Sequence, residues 1–216
     1  MHRYFVTGTD TDVGKTRVSA ALARALKTRG EDPLIVKLVQ TGAGPTDEGD
    51  AAHAGRLAGC PHHELARFFK AADPWTAALA EGMPAVHAED LQLALDRMSG
   101  AIIAEGAGGV AVPLNRAQTF ADVAQLAKLE TILVVGLRLG CLNHALLTLS
   151  HLSAHGVSVA GAVLVDRWHE TGVEYHNDVR RTLQGKVRVF GILPFEVDET
   201  RSIEEGACMF DDFLSA

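Results

Sequence analysis

Gly14, Lys15 and Thr16 lie between a β-prone run, Tyr4-Phe5-Val6, and a stretch whose apolar residues recur at helical spacing: Val18, Ala21, Leu22, Ala25 and Leu26. A turn at such a junction aims successive backbone N–H groups, with the positive end of a helix dipole, at one point. Lys15 adds a full positive charge there, and the Thr16 hydroxyl is placed to ligate the magnesium that accompanies a nucleoside triphosphate. The run departs from G-x-x-x-x-G-K-[ST] in one place: Thr9 holds the first glycine position, and the glycine comes one residue earlier, at Gly8. A Gly/Asp turn that merely precedes Lys-Thr is the duller reading. Its place between strand and helix argues for a phosphate loop, with ATP or a relative as the ligand.

Further groups suit the same ligand. Lys37 lies inside the apolar run Val36-Lys37-Leu38-Val39, at the end where the phosphate loop also emerges, and Thr41 follows with a hydroxyl. A buried lysine needs an anionic counter-ion, whereas a strand-edge lysine needs only water. Glu105 ends the run 101–104 and is followed by Gly106-Ala107-Gly108-Gly109, where small residues let backbone approach a ligand; a metal or phosphate station and a plain glycine turn both fit. Asp50 opens a helix pattern, as an N-cap or as a further carboxylate for magnesium. Gly140-Cys141-Leu142-Asn143 begins another helix, whose free N–H groups could receive a carboxylate or simply start the helix. His62-His63 and the pair His151/His155 lack the spacing of a transition-metal site.

These residues need a scaffold. Apolar runs suited to buried strands recur at 33–39, 101–104, 131–135, 157–165 and 187–193. Helix-patterned stretches lie between them, at 51–58, 90–98, 120–129, 142–154, 174–183 and 202–213. The alternation implies an α/β fold of three layers, P-loop NTPase-like, with a mostly parallel sheet and helices on both faces. Residues 42–87, rich in Gly, Pro, Ala and His, read as an excursion over the carboxyl edge of the sheet, where ligands collect in such folds.

Composition narrows the class. The 216 residues fit a single domain, 1–216, and 47% are hydrophobic with only 6% aromatic, which suits small aliphatic side chains between sheet and helices. A formal charge of −7 argues against nucleic acid or an anionic membrane as partner. Three scattered cysteines, with neither a leader pattern nor a long apolar run, lead us to expect a cytoplasmic protein.

Taken together, Gly8–Thr16, Val36-Lys37-Leu38-Val39-Gln40-Thr41-Gly42, Glu105-Gly106-Ala107-Gly108-Gly109 and Leu139-Gly140-Cys141-Leu142-Asn143-His144 resemble the dethiobiotin synthetase family in order and spacing. The resemblance implies an ATP-dependent ligase of biotin biosynthesis that joins CO₂ to 7,8-diaminononanoate and closes a cyclic urea. It implies that Asp12, Val13, Gly14, Lys15, Thr16 and Arg17 wrap the triphosphate, and that Thr16, Asp50 and Glu105 hold Mg²⁺. Lys15 and Lys37 would flank the reacting phosphate and carbamate as catalytic groups. Thr11 and Thr41 would bind the diamine, and Glu105, Gly106, Ala107 and Gly108 would touch nucleotide and substrate. Gly140, Cys141, Leu142 and Asn143 would receive the substrate carboxylate from the partner subunit of a homodimer. The base side would be formed by Val165, Asp166, Leu193, Pro194 and Phe195. There the chain departs from the family, because Val165 replaces an asparagine that reads adenine, so a relaxed base preference is expected. A switch or partitioning ATPase of the same fold is the competing reading, disfavoured by Asp10 and Thr11 where such proteins carry an early lysine. An amidoligase acting on a larger cofactor precursor would need a glutaminase domain, for which 216 residues leave no room.

Overall fold

A computed structural model describes residues 2–193 and 195–215. The chain runs β1 (Arg3–Gly8), α1 (Lys15–Thr28), β2 (Pro33–Lys37), β3 (Gln40–Thr41), α2 (Asp50–Ala58), β4 (His62–Glu64), β5 (Arg67–Phe68), α3 (Pro74–Glu81) and α4 (Ala88–Asp96). It continues β6 (Ala101–Gly109), α5 (Phe120–Leu126), β7 (Glu130–Gly136), α6 (Cys141–Ala154), β8 (Val159–Val165), α7 (Val173–Gln184), β9 (Val189–Leu193), α8 (Glu199–Cys208) and α9 (Asp211–Leu214).

Seven strands form one sheet in the order β4-β2-β6-β1-β7-β8-β9, and every pairing within it is parallel. Alternation along the strands sorts their side chains onto two faces. Tyr4, Val6, Ile103, Ile132, Val134 and Val163 pack with α1, α2 and α8. Phe5, Ile102 and Ala104 face α3, α4 and α5 on the other side, while Leu133, Val135 and Leu164 face α6 and α7. The three layers expected from the sequence are therefore present. Burying each such aliphatic side chain contributes about 1.5–3 kcal/mol, which fixes the sheet on which the loops stand. Among the described residues, no helix is long and apolar enough to cross a membrane.

Several boundaries differ from the sequence expectation. The run 33–39 is not one strand: β2 ends at Lys37, and Gln40–Thr41 leaves to pair with Arg67–Phe68 in a separate two-stranded sheet. Leu38 and Val39 stay apolar because they dive into the core, not because they extend the sheet. Conversely, β6 continues past Ala104 through the glycines to Gly109, which pairs with Gly8 after an irregularity in register. Glu105 thus lies within its strand and not at its end. The 42–87 excursion contains β4, a three-residue polar edge strand that includes His62 and His63 and adds to the main sheet beside β2. The helical pattern 202–213 breaks at Met209-Phe210, where the buried Phe210 ring packs against Phe190.

Candidate active site

The loops at the carboxyl edge enclose a cavity of about 880 Å³. Of the residues singled out in the sequence, Thr11, Asp12, Gly14, Lys15, Thr16, Arg17, Lys37, Thr41, Asp50, Glu105, Ala107, Gly108 and Phe195 line it.

At its floor, parallel register decides the geometry. Lys37 on β2 pairs with Glu105 on β6, and Val6 of the central strand flanks Glu105 on its other side. The lysine ammonium, on a residue only 2% exposed, lies 2.8 Å from Oε1 of Glu105 and 2.5 Å from Oδ2 of Asp50. It also donates to the Gly106 carbonyl at 3.0 Å. Burial alone would push the Lys37 pKa down, but the Glu105 and Asp50 carboxylates outweigh it and hold the pKa above the usual lysine value. Glu105 is shared further: Thr16 Oγ1 donates to its Oε1 at 3.1 Å, and Ser19 Oγ to its Oε2 at 2.7 Å. Ser19 lies three residues beyond Thr16 on the same face of α1, a spacing that could have pointed to it.

Lys15 behaves differently. Its ammonium donates to the Asp10 carbonyl at 2.9 Å, folding the side chain back over the loop. Burial, with the nearby charge of Lys37 adding to it, pushes its pKa down to about 8. A poorly compensated cation at a helix N-terminus is an anion-seeking group. The loop backbone supports this role: Asp12 holds φ 66 and Gly14 φ 98. At Gly14 the left-handed backbone favours glycine, and an added Cβ would sit a tight 3.0 Å from Cγ1 of Val165.

Asp50 does not cap α2. Gly49 occupies the N-cap position and Asp50 is the first helical residue, its N–H donating to Gln40 Oε1 at 2.9 Å while its carboxylate meets Lys37. On the far wall, the Arg17 guanidinium lies 3.7 Å from the centre of the Phe195 ring and donates to Glu199 at 3.1 Å and to the Glu196 carbonyl at 2.8 Å. Arg167 pairs with Asp12 at 2.8 Å. Gln40, His53, Arg167 and Glu199 all line the cavity and were missed in the sequence.

Other expected residues lie behind the wall or away from it. Val13, Val165 and Leu193 are buried, and Gly106 contributes its carbonyl to Lys37. Asp166 turns to its own loop, accepting from the His169 N–H at 3.1 Å. Pro194 lies outside the described residues. Gly140, Cys141, Leu142 and Asn143 form the start of α6, outside this cavity. That turn is braced by Tyr175, whose hydroxyl donates to the Arg138 carbonyl at 3.0 Å, and it is tied to the phosphate loop by an Arg138–Asp10 ion pair.

A family model described as "AAA domain" matches residues 2–202. The chain is 38% identical over 172 residues to an ATP-dependent dethiobiotin synthetase of Cellvibrio japonicus (strain Ueda107), covering 74% of this chain and 75% of that one. The same description applies to a Yersinia pestis bv. Antiqua (strain Angola) protein, 35% identical over 208 residues, with 91% of this chain and 86% of that one covered. An Escherichia coli (strain K12) protein so described is 39% identical over 176 residues, covering 76% and 77%. Among solved structures, a plasmid partition protein of Borrelia burgdorferi bound to AMPPNP superposes with TM-score 0.66 at 11% identity, covering 100% of this chain and 99% of that one. The Pyrococcus furiosus cell division ATPase MinD gives 0.61 at 18%, covering 99% and 100%. At such identities the two solved structures establish the fold alone.

Proposed function

This chain belongs to the ATP-dependent dethiobiotin synthetase family, and we propose how its cavity performs that ligation, the ring closure of biotin biosynthesis. The observation that carries the proposal is the ammonium of Lys37, buried on Glu105 and Asp50 at the foot of the phosphate loop. A cation so placed balances two carboxylates in the resting core; beside a polyphosphate it can neutralise charge as the reaction proceeds.

One amine of 7,8-diaminononanoate adds to CO₂ to give a carbamate. A carbamate oxygen attacks the γ-phosphorus as the bond to the β-bridging oxygen breaks, releasing ADP and leaving a carbamic-phosphoric anhydride. The second amine attacks the carbonyl carbon, phosphate departs, and the cyclic urea of dethiobiotin forms. No side-chain nucleophile is required. Lys15 and the first-turn N–H groups of α1 hold the β- and γ-phosphates, and Lys37 stands on the carbamate side of the transferred group. Thr11 and Thr41 orient the diamine, while Arg17, Arg167 and Phe195 form the wall nearest the base. Val165 packs under Gly14 and presents no amide, which supports a relaxed choice of base.

Thr16, Asp50 and Glu105 offer a hydroxyl and two carboxylates around one point, and Lys37 already holds that point as a cation. Hard oxygen donors of this number, completed by phosphate and water, suit Mg²⁺, which favours few protein ligands. When bound, the ion would withdraw charge from the phosphate oxygens. We assign the chain to one catalytic domain in the cytoplasm, acting as a homodimer in which the turn at 140–143 receives the carboxylate of the diamine bound by the partner. Support comes from its position outside this chain's cavity and from the exposed apolar side chains Leu139 and Leu147 beside it.

The test is mass spectrometry of the products. Dethiobiotin should form only when diamine, bicarbonate, Mg²⁺ and triphosphate are all present. Triphosphate hydrolysis indifferent to diamine and bicarbonate, but stimulated by a protein or DNA partner, would move the chain to the partitioning ATPases.

A further inference from the structure

We propose that Lys37 is the resident cation of the carboxylate cage, and that a divalent ion enters only in exchange for it. The inference rests on the assignment of Asp50, Glu105 and Thr16 to magnesium, and adds how that site is governed. The Lys37 ammonium sits 2.5 Å from Asp50 Oδ2 and 2.8 Å from Glu105 Oε1, the same oxygen that accepts from Thr16 Oγ1 at 3.1 Å. It therefore touches both carboxylates and shares one carboxylate oxygen with the third donor of the site. A second cation cannot share those two carboxylates at contact distance without strong repulsion.

Nor can the ammonium simply leave. The Glu105 side chain is 1% exposed, and removing its cation would strand a buried anion. The exchange must be simultaneous, one cation for another. Lys37 has the means: a flexible four-carbon stem ending in a compact charge that accepts any close anion. What it needs is a destination, and a triphosphate held by Lys15 over the same floor would provide one. Metal ion and nucleotide thus enter as a pair, and Lys37 turns toward the reacting phosphate in the step that loads the metal. The catalytic charge is sequestered until both have arrived.

Binding of Mn²⁺ alone, without nucleotide, tests the exchange, read by the electron paramagnetic resonance of the free ion and by calorimetry. Lys37→Met keeps the length and removes the charge. It should bind Mn²⁺ roughly tenfold or more tightly than the unaltered protein, since the ion no longer has to displace a buried ion pair. Adding Glu105→Gln to that variant should abolish the gain. Unchanged or weaker Mn²⁺ affinity in folded Lys37→Met would overturn the exchange. Should Lys37→Met fail to fold in metal-free buffer, Mn²⁺ should restore its circular dichroism by replacing the missing cation, and failure to restore it would equally overturn the exchange. The underlying metal assignment is tested separately by Mn²⁺ binding with ADP in Asp50→Asn and Glu105→Gln. Loss of ADP-dependent binding there, without a gain in Lys37→Met, would refute the exchange alone. Undiminished ADP-dependent binding in both would refute the metal assignment and the exchange with it.

Discussion

The floor of the cavity and the turn that opens α6 both present groups for anions, yet they are built in opposite ways. At the floor, Lys37, Glu105, Asp50, Thr16 and Ser19 are locked by mutual contacts of 2.5–3.1 Å, with Lys37 and Glu105 withdrawn from water. At the turn, Gly140 holds φ 91 between Leu139, 86% exposed, and the buried Cys141, and the cavity does not reach it. One region is closed on itself by its own contacts; the other stands open at the surface. Charge delivered before the chemistry belongs where bonds are made, because a cation already in place when the ligands are loaded costs no reorganisation as negative charge develops. A recognition turn can be lent across an interface.

The largest effect expected is at the floor. Lys37→Ala should reduce dethiobiotin formation by about 3–4 kcal/mol of transition-state stabilisation while affinity for nucleotide measured without divalent ion changes little. Steady-state kinetics with equilibrium nucleotide binding checks this; equal loss of both would place Lys37 in ground-state binding. At the turn, Gly140→Val should strain a left-handed residue by about 1–3 kcal/mol and raise the diamine KM without moving the nucleotide KM. Mixing the two variants sharpens the contrast. If the turn serves the partner's floor, mixed dimers hold one intact site and regain activity; if each chain serves itself, every site stays damaged and mixing restores nothing.

A smaller effect concerns Lys15. Its pKa in the free protein is depressed from 10.5 to about 8, so between those values the folded chain holds fewer protons than the unfolded one, and this group's contribution to stability improves as pH rises through that window. Bound phosphate reverses the balance by favouring the charged amine. Triphosphate binding should therefore take up a proton above pH ~8 and weaken as pH rises, by at most about tenfold per unit. Calorimetry in buffers of different ionisation enthalpy measures the uptake, and its absence would remove Lys15 from the phosphates. The smallest effect is on the base: with Val165 buried under Gly14, triphosphates should compete with preferences below about tenfold, or 1.4 kcal/mol. A strict ATP requirement would show that other groups read adenine.

The phosphate loop and the parallel layering were legible because they rest on local patterns, a strand, a glycine turn and helical periodicity within the first 28 residues. Lys37 was legible as a charge within an apolar run and Glu105 as one closing another, but their direct pairing was not, since it depends on which strands become neighbours. Contacts that bridge long stretches of chain leave little local trace beyond a helical spacing such as that of Ser19 from Thr16. Ser19 reaches Glu105 across 86 residues and Arg17 reaches Glu199 across 182. Edge strand β4 was illegible for another reason: three polar residues, His-His-Glu, carry no strand pattern of their own and gain it only beside β2. Arg167 had a weak signal, standing two residues beyond Val165 on the segment already marked for the base.

The most direct test of the ligation proposed for this cavity is the fate of oxygen from ¹⁸O-labelled bicarbonate in a single turnover. Carbamate attack on the γ-phosphorus predicts one labelled oxygen in the released phosphate, seen by mass spectrometry. Dethiobiotin formed alongside unlabelled phosphate would contradict it, because the carbamate would then never have met the phosphorus between the two lysines.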